Sequence, residues 1–441
     1  MRLSFRIDGT LWRVSRASAL LALFLVCISC GDIYRPVAIP TTPNPPSPKS
    51  SHYVLFLSVN GGNNVSSGGL NDPGASTRID VSGDTNVGIA HLGLTPVHAA
   101  LLPSGGTVYV ANQMEDTISY YSPSAPNTVS TISLPTGSQP VFVASQENAH
   151  VYVANAGTNS VDVIATGNNI VTSFVPTGAN PVAVVETPDA KKVYAVNQGD
   201  GTVTSINTLD DSVNPPISVG AAPVLAAVRS DSARLYVLNS GDGTVTAIDT
   251  ATDAVLSTTP VGAGANFMFY DGTLNRLYVT AATANTLTVL SARSDPPQVL
   301  ATVPMPASPL SVTALPDGSR AYVASDLVSG GTATSQVTVI NTSDNSVKTT
   351  IPLLSVPSVC TGSTRFRLYA AASADSSRVY VSNCDAGSTA VISTVVNSAV
   401  DDPYPPDSLV LSIPAPVSAL SSSSSTSVPP PQNPVFVLAG P

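Results

Sequence analysis

Val151-Tyr-Val-Ala-Asn155 decides the fold, because the 441-residue chain keeps returning to it. The phrase recurs as Val108-Tyr-Val-Ala-Asn112, Val193-Tyr-Ala-Val-Asn197, Leu235-Tyr-Val-Leu-Asn239, Leu277-Tyr-Val-Thr-Ala281, Ala321-Tyr-Val-Ala-Ser325 and Val379-Tyr-Val-Ser-Asn383. The first six tyrosines, from Tyr109 to Tyr322, stand 43, 42, 42, 42 and 44 residues apart, and a jump of 58 leads to Tyr380. A fixed period near 42 predicts stacked copies of one supersecondary unit.

Working outward from Tyr194 shows what the unit contains. Pro181 to Glu186 is a short apolar run ended by Pro188-Asp189, and Lys192 to Asn197 is a second, ended by Gln198-Gly199-Asp200-Gly201. Thr202 to Asn207 alternates apolar and polar side chains, as a strand with one covered face does. Pro216 to Val219 is the fourth run. The intervening Asp, Asn, Gly and Pro suit tight reversals. Four antiparallel strands in about 42 residues is the size of a propeller blade. Composition agrees. Charged residues are 10% of the chain, with 25 Asp against 3 Glu and 14 Arg against 4 Lys, alongside 38 Pro and 30 Gly. A chain this poor in Glu and Lys lacks the residues of exposed helix faces. The expected fold class is all-β, a single β-propeller.

Tyr-Val-x-Asn, followed by a strand such as Val245-Thr-Ala-Ile-Asp249 and a Gly-x-x-Pro before the next unit, resembles the YVTN β-propeller repeat family. The resemblance covers roughly 53–441 and is strongest from 96 to 308. Trp12 is the only tryptophan, which disfavours Trp-Asp, kelch and quinoprotein propeller repeats. First strands are expected near Pro96, Pro140, Pro181, Pro223, Ala265, Pro309, Arg365 and Pro434. Second strands are expected near Leu55, Val108, Val151, Val193, Leu235, Leu277, Ala321 and Val379. The two sets are offset, so the chain starts on a second strand and ends on a lone first strand. The ends would share a blade and remove the exposed sheet edges. Eight blades are expected, with seven, the number the resemblance more often implies, as the alternative.

Residues 1–29 read as a signal peptide: Arg2, Arg6, Arg13 and Arg16 precede an apolar run from Ala19, too short to span a bilayer. The run ends in Cys27-Ile-Ser29-Cys30-Gly31, which resembles a bacterial lipoprotein lipobox and implies lipidation of Cys30; Cys27 departs from the usual Leu. Residues 30–52, with six prolines between Pro36 and Pro48, read as an extended tether. The expected location is the bacterial cell envelope, membrane-anchored by lipid on its periplasmic or extracellular side. Removing 1–29 takes away four Arg and one Asp, so a net charge of −10 becomes −13. A body this acidic, without a basic run, has no electrostatic hold on nucleic acid. Cys360 and Cys384 are then the only possible pair, and an exported compartment is oxidising, so a disulfide is expected.

Four insertions interrupt the lean repeat, at 61–75, 326–335, 352–364 and 414–433. In a propeller all four would decorate one face, on the sixth, seventh and closing blades, and loops on rigid scaffolds commonly carry binding. The candidate binding rim comprises Asn63, Asn64, Asp72, Asp326 and Asp385; the three aspartates offer oxygen ligands of the kind Ca²⁺ takes, but solvated turn aspartates are common and no metal site is expected. The recurring Asn60, Asn112, Asn155, Asn197, Asn239 and Asn383 suit turns better than a ligand ring. No zinc, phosphate-loop, nucleophile-elbow or haem motif is present, and Glu115, Glu147 and Glu186 share no ligand spacing. No catalytic residue and no cofactor are therefore expected. The sequence favours a non-catalytic scaffold that binds a protein or an envelope glycan. The alternative is an exported hydrolase or lactonase using the central channel, which needs carboxylates or histidines at the inner ends of first strands.

Overall fold

The computed structural model describes residues 52–59, 73–360, 367–395, 404–415 and 433–440. These residues build eight four-stranded antiparallel sheets arranged in a ring. Blades I to VII follow one another along the chain, at 96–133, 140–176, 181–218, 223–260, 265–304, 308–357 and 368–414. The eighth is shared. Its inner strand is the C-terminal Asn433–Ala439, paired with Tyr53–Val59, followed outward by Pro73–Asp80 and Thr85–Leu94. Val54 lies opposite Ala439 and Val59 opposite Asn433, so the two ends of the chain are zipped over the full strand. Within each blade the first strand is innermost and touches the first strands of both neighbours. The upper face is defined here as the one where second strands end and fourth strands lead on to the next blade.

The repeated phrase fills the centre of each sheet. Second strands of blades II to V each carry five consecutive buried residues, since both faces of every blade pack on a neighbouring blade. The seven repeat tyrosines are among the largest fully buried side chains, each contributing roughly 2 kcal/mol of apolar burial. Most hydroxyls reach forward to the next blade's turn between third and fourth strands. Tyr109 bonds Asn169, Tyr194 bonds Asp253, Tyr322 bonds Asp407 and Tyr380 bonds Asp84, at 2.5 to 2.7 Å. Tyr236 takes the backbone oxygen of Ala292 at 3.2 Å. A cation two residues earlier often joins the same turn, as Lys192 does at Asp253 and Arg378 at Asp84. The turn residue itself is Asn or Asp with φ between 49° and 58°, as at Asp84, Asn169, Asp253, Asn345 and Asp407; Asn and Asp tolerate that left-handed backbone.

Insertion 326–335 and the start of 352–364, as far as Pro357, are strand rather than loop. Residues 326–335 prolong the second and third strands of blade VI, Arg320–Ser329 and Thr332–Asn341, and the fourth, Val347–Pro357, runs beside them. The pairs Val328–Ala333 and Ala333–Val356 make this a three-stranded tongue rising from the upper face. Gly330 and Gly331 close its tip with φ of 57° and 79°, which two-residue hairpin turns require. Blade VII opens at Leu368, three residues beyond the expected Arg365, and Pro73 to Ala75 already belong to the closing blade. Most of 61–75 and 414–433 lies outside the described residues.

Candidate functional site

First strands line the middle of the ring, and their side chains decide whether a channel is usable. His98 of blade I stacks on Phe142 of blade II at 3.6 Å between ring centroids, and lies 4.6 Å from Phe436 of the closing blade. Phe436 meets Tyr369 of blade VII at 4.6 Å, and Tyr369 meets Phe267 of blade V edge-on at 5.5 Å. The last contact bypasses blade VI, so these rings join across the middle rather than along the wall. His98, Phe267 and Phe436 are all buried. An aromatic chain thus crosses the space where a channel-based hydrolase would hold its substrate.

One acid–base cluster does occur at the end of a first strand. Glu186 closes Pro181–Glu186 at a position filled by Leu101 in blade I, Val228 in blade IV and Ala314 in blade VI. Its Oε2 accepts the Gln146 backbone N–H at 2.6 Å while Oε1 has no partner. Glu147 pairs with His150 at 2.6 Å beside it. Burial, reinforced by Glu147, raises the Glu186 pKa to about 7. Nothing in their spacing links Glu147 with Glu186; adjacency of blades II and III does so. Glu186 is only 2% exposed, so a substrate has no approach to its carboxyl group. Among the described residues no group of three or more His, Cys, Asp or Glu is placed to hold a metal ion.

The recurring asparagines do not form a ligand ring either. Asn112, Asn155, Asn197, Asn239 and Asn383 are buried, and Asn60 lies outside the described residues. Their amide nitrogens bond hydroxyl side chains, while Asn383 also accepts the backbone N–H of Ala386 at 3.1 Å, as expected of a turn residue. Asn197 donates to Thr202 and Thr204 at 3.0 and 2.9 Å, and Asn239 to Thr244 and Thr246 at 3.0 and 2.8 Å.

The upper face between blades VI and VII is built more elaborately. Cys360 and Cys384 are disulfide-bonded with Cα atoms 6.0 Å apart, tying the segment after the tongue to the end of a second strand. Asp385 Oδ1 accepts the N–H groups of Val359 and Cys360, both at 2.7 Å, and Oδ2 accepts Arg367 Nε at 2.5 Å. Arg367 also donates to Ser358 at 2.6 Å and lies 3.3 Å from Asp326 Oδ2 at the tongue's base. Burial pushes the Asp326 carboxyl up, Arg367 partly offsetting it. Two rim candidates, Asp326 and Asp385, therefore meet at one guanidinium, with both carboxylates turned inward. Asn63, Asn64 and Asp72 lie outside the described residues, as does Cys30. What faces solvent is uncharged: Leu327, Val328 and Leu354 are 55%, 47% and 39% exposed. Their prominence was not legible in the sequence, where Val, Leu and Ser look alike inside and outside a sheet.

No protein-family model matches the chain, and no curated protein matches it. Solved structures do. Hydrazine synthase of Kuenenia stuttgartiensis is similar with a TM-score of 0.53 at 19% identity, over 68% of this chain and 96% of that one. A functionally unknown protein from Desulfotomaculum acetoxidans gives 0.52 at 16% identity, over 70% and 95%. The dihydro-heme d1 dehydrogenase NirN, in complex with DHE, gives 0.62 at 13% identity, over 86% and 76%. At these identities the likenesses show the fold alone.

Proposed function

We propose that the protein is a lipid-anchored envelope propeller of the YVTN type that acts as a non-catalytic binding scaffold through its decorated upper face. The observation that carries this reading is the tongue of blade VI. Among the described residues it is the one place where three strands of a blade continue past the face together. Its base is fixed by the disulfide and by the carboxylates on Arg367, so exposed apolar side chains stand on a rigid support. The aromatic chain across the ring's middle argues against a substrate channel, and the buried Glu186 offers no accessible acid or base. The signal peptide, Cys30 lipidation and Pro-rich tether supply export and anchoring. The partner is a protein or an envelope glycan.

The test joins Asp326 to Ser335 through an Asn-Gly turn, removing 327–334; these two residues already face each other across the hairpin. In-cell cross-linking of the anchored protein is expected to capture a partner with the native tongue and lose it with the shortened one, at unchanged thermal melting. Retention of the same partner by the shortened variant would overturn the reading.

A further inference from the structure

Blade III breaks the pattern of its neighbours at its outer edge. Elsewhere the fourth strand runs for four to eleven residues, but here, apart from a single separate bridge at Val213 opposite Ile206, it is reduced to Ile217–Ser218. Pro215 and Pro216 come immediately before it, and neither can donate a ladder hydrogen bond. Beside this shortened strand lies a notch of about 410 Å³ between blades III and IV, lined by Lys192, Asn214, both prolines, Ala251 and Asp253. That is at the small end of the roughly 300–1,000 Å³ of ligand pockets.

Its polar groups are ordered and nearly neutral in sum. Asp253 accepts Tyr194 Oη at 2.7 Å, Lys192 Nζ at 2.8 Å and Asn214 Nδ2 at 3.0 Å. Lys192 Nζ also donates to the Thr250 oxygen at 2.7 Å. One ammonium proton and the Asn214 amide oxygen are left without a protein partner. The lining of the notch therefore holds an uncommitted donor and an uncommitted acceptor together with two prolines. An anion would meet the Asp253 carboxylate and a cation the Lys192 ammonium, so the ion pair disfavours both. Adjacent hydroxyls of a sugar both give and accept hydrogen bonds and carry no charge. The geometry points to a binding site here for a neutral polyhydroxylated ligand, one residue of a glycan. This site lies on the outer wall, away from the tongue, and does not depend on the tongue's role.

The test is saturation-transfer NMR of the intact propeller with methyl glucoside, methyl galactoside and N-acetylglucosamine, with inorganic phosphate and Ca²⁺ titrated separately. At least one sugar is expected to bind. Affinity should fall tenfold or more in Ala251→Phe, which fills the notch from an exposed turn without removing a hydrogen bond, and in Asn214→Ala. Binding of no sugar, binding unchanged in both variants, or phosphate or Ca²⁺ taking the notch instead would overturn the proposal. The shortened-tongue variant should keep its sugar binding.

Discussion

Tyr278 and Tyr380 occupy the same position in two blades, yet their hydroxyls meet different surroundings. Tyr278 Oη is buried without a hydrogen-bond partner, whereas Tyr380 donates to Asp84 at 2.7 Å beside Arg378. Tyr278→Phe is expected to leave the melting temperature unchanged or slightly raised, because removing an unsatisfied polar atom relieves its desolvation. Tyr380→Phe should cost about 2 kcal/mol, the usual loss for a bond to a charged acceptor; thermal melts of both variants check this. Asp162 is a second misfit. It faces Val153 where other blades place Ser119, Thr204, Thr246 or Thr288, and it is fully buried with Oδ2 unpartnered. Burial raises its pKa from 3.8 to about 6, the neighbouring Asn155 and Ser160 offsetting part of the rise. The folded protein thus holds a proton that the unfolded chain has already released. The stability linked to that proton is complete below about pH 4 and is lost as pH rises through 6. Asp162→Thr should therefore stabilise the protein by up to roughly 3 kcal/mol near pH 8. The gain should vanish near pH 4, as read from melts across that range. Neither Asp162 nor Glu186 could be recognised as buried from the sequence, since a carboxylate in an alternating run, or at the end of an apolar one beside a turn, reads as a solvent-facing position.

At the scale of the element, the tongue shows where pattern reading stops. Turn residues such as Gly330-Gly331 and Pro352 made 326–335 and 352–364 look like loops, while their Ser, Thr and Val content was equally compatible with strands. Only pairing across all three segments distinguishes the two, and pairing is a property of the folded blade. The disulfide, by contrast, followed from counting cysteines in a chain read from its sequence as exported. It closes a 24-residue separation, so replacing both Cys360 and Cys384 by Ala is expected to cost about 3 kcal/mol in urea unfolding. The loss should be accompanied by faster amide exchange at Val359 and Cys360, whose N–H groups rest on Asp385. Unchanged urea midpoint and unchanged exchange would mean that the buried Arg367 cluster alone fixes the tongue's base.

For the whole molecule, blade number and closure were legible because they depend on the repeat alone. Eight first strands offset from eight second strands leave one of each over, and the leftover strands can bury their edges only on one another. The aromatic chain across the middle was less legible, since His98, Phe142, Phe267, Tyr369 and Phe436 are scattered over more than 300 residues and meet only once the ring is closed. Closure also makes the tongue and the blade III notch features of one rigid platform. It is tested most directly by amide hydrogen exchange in the native protein, comparing 53–59 and 433–439 with the central strands of blades II to V. Zipped terminal strands predict protection at both ends equal to that of His150–Asn155 and Lys192–Asn197. Exchange at 433–439 as fast as in the exposed turns would contradict a closed ring.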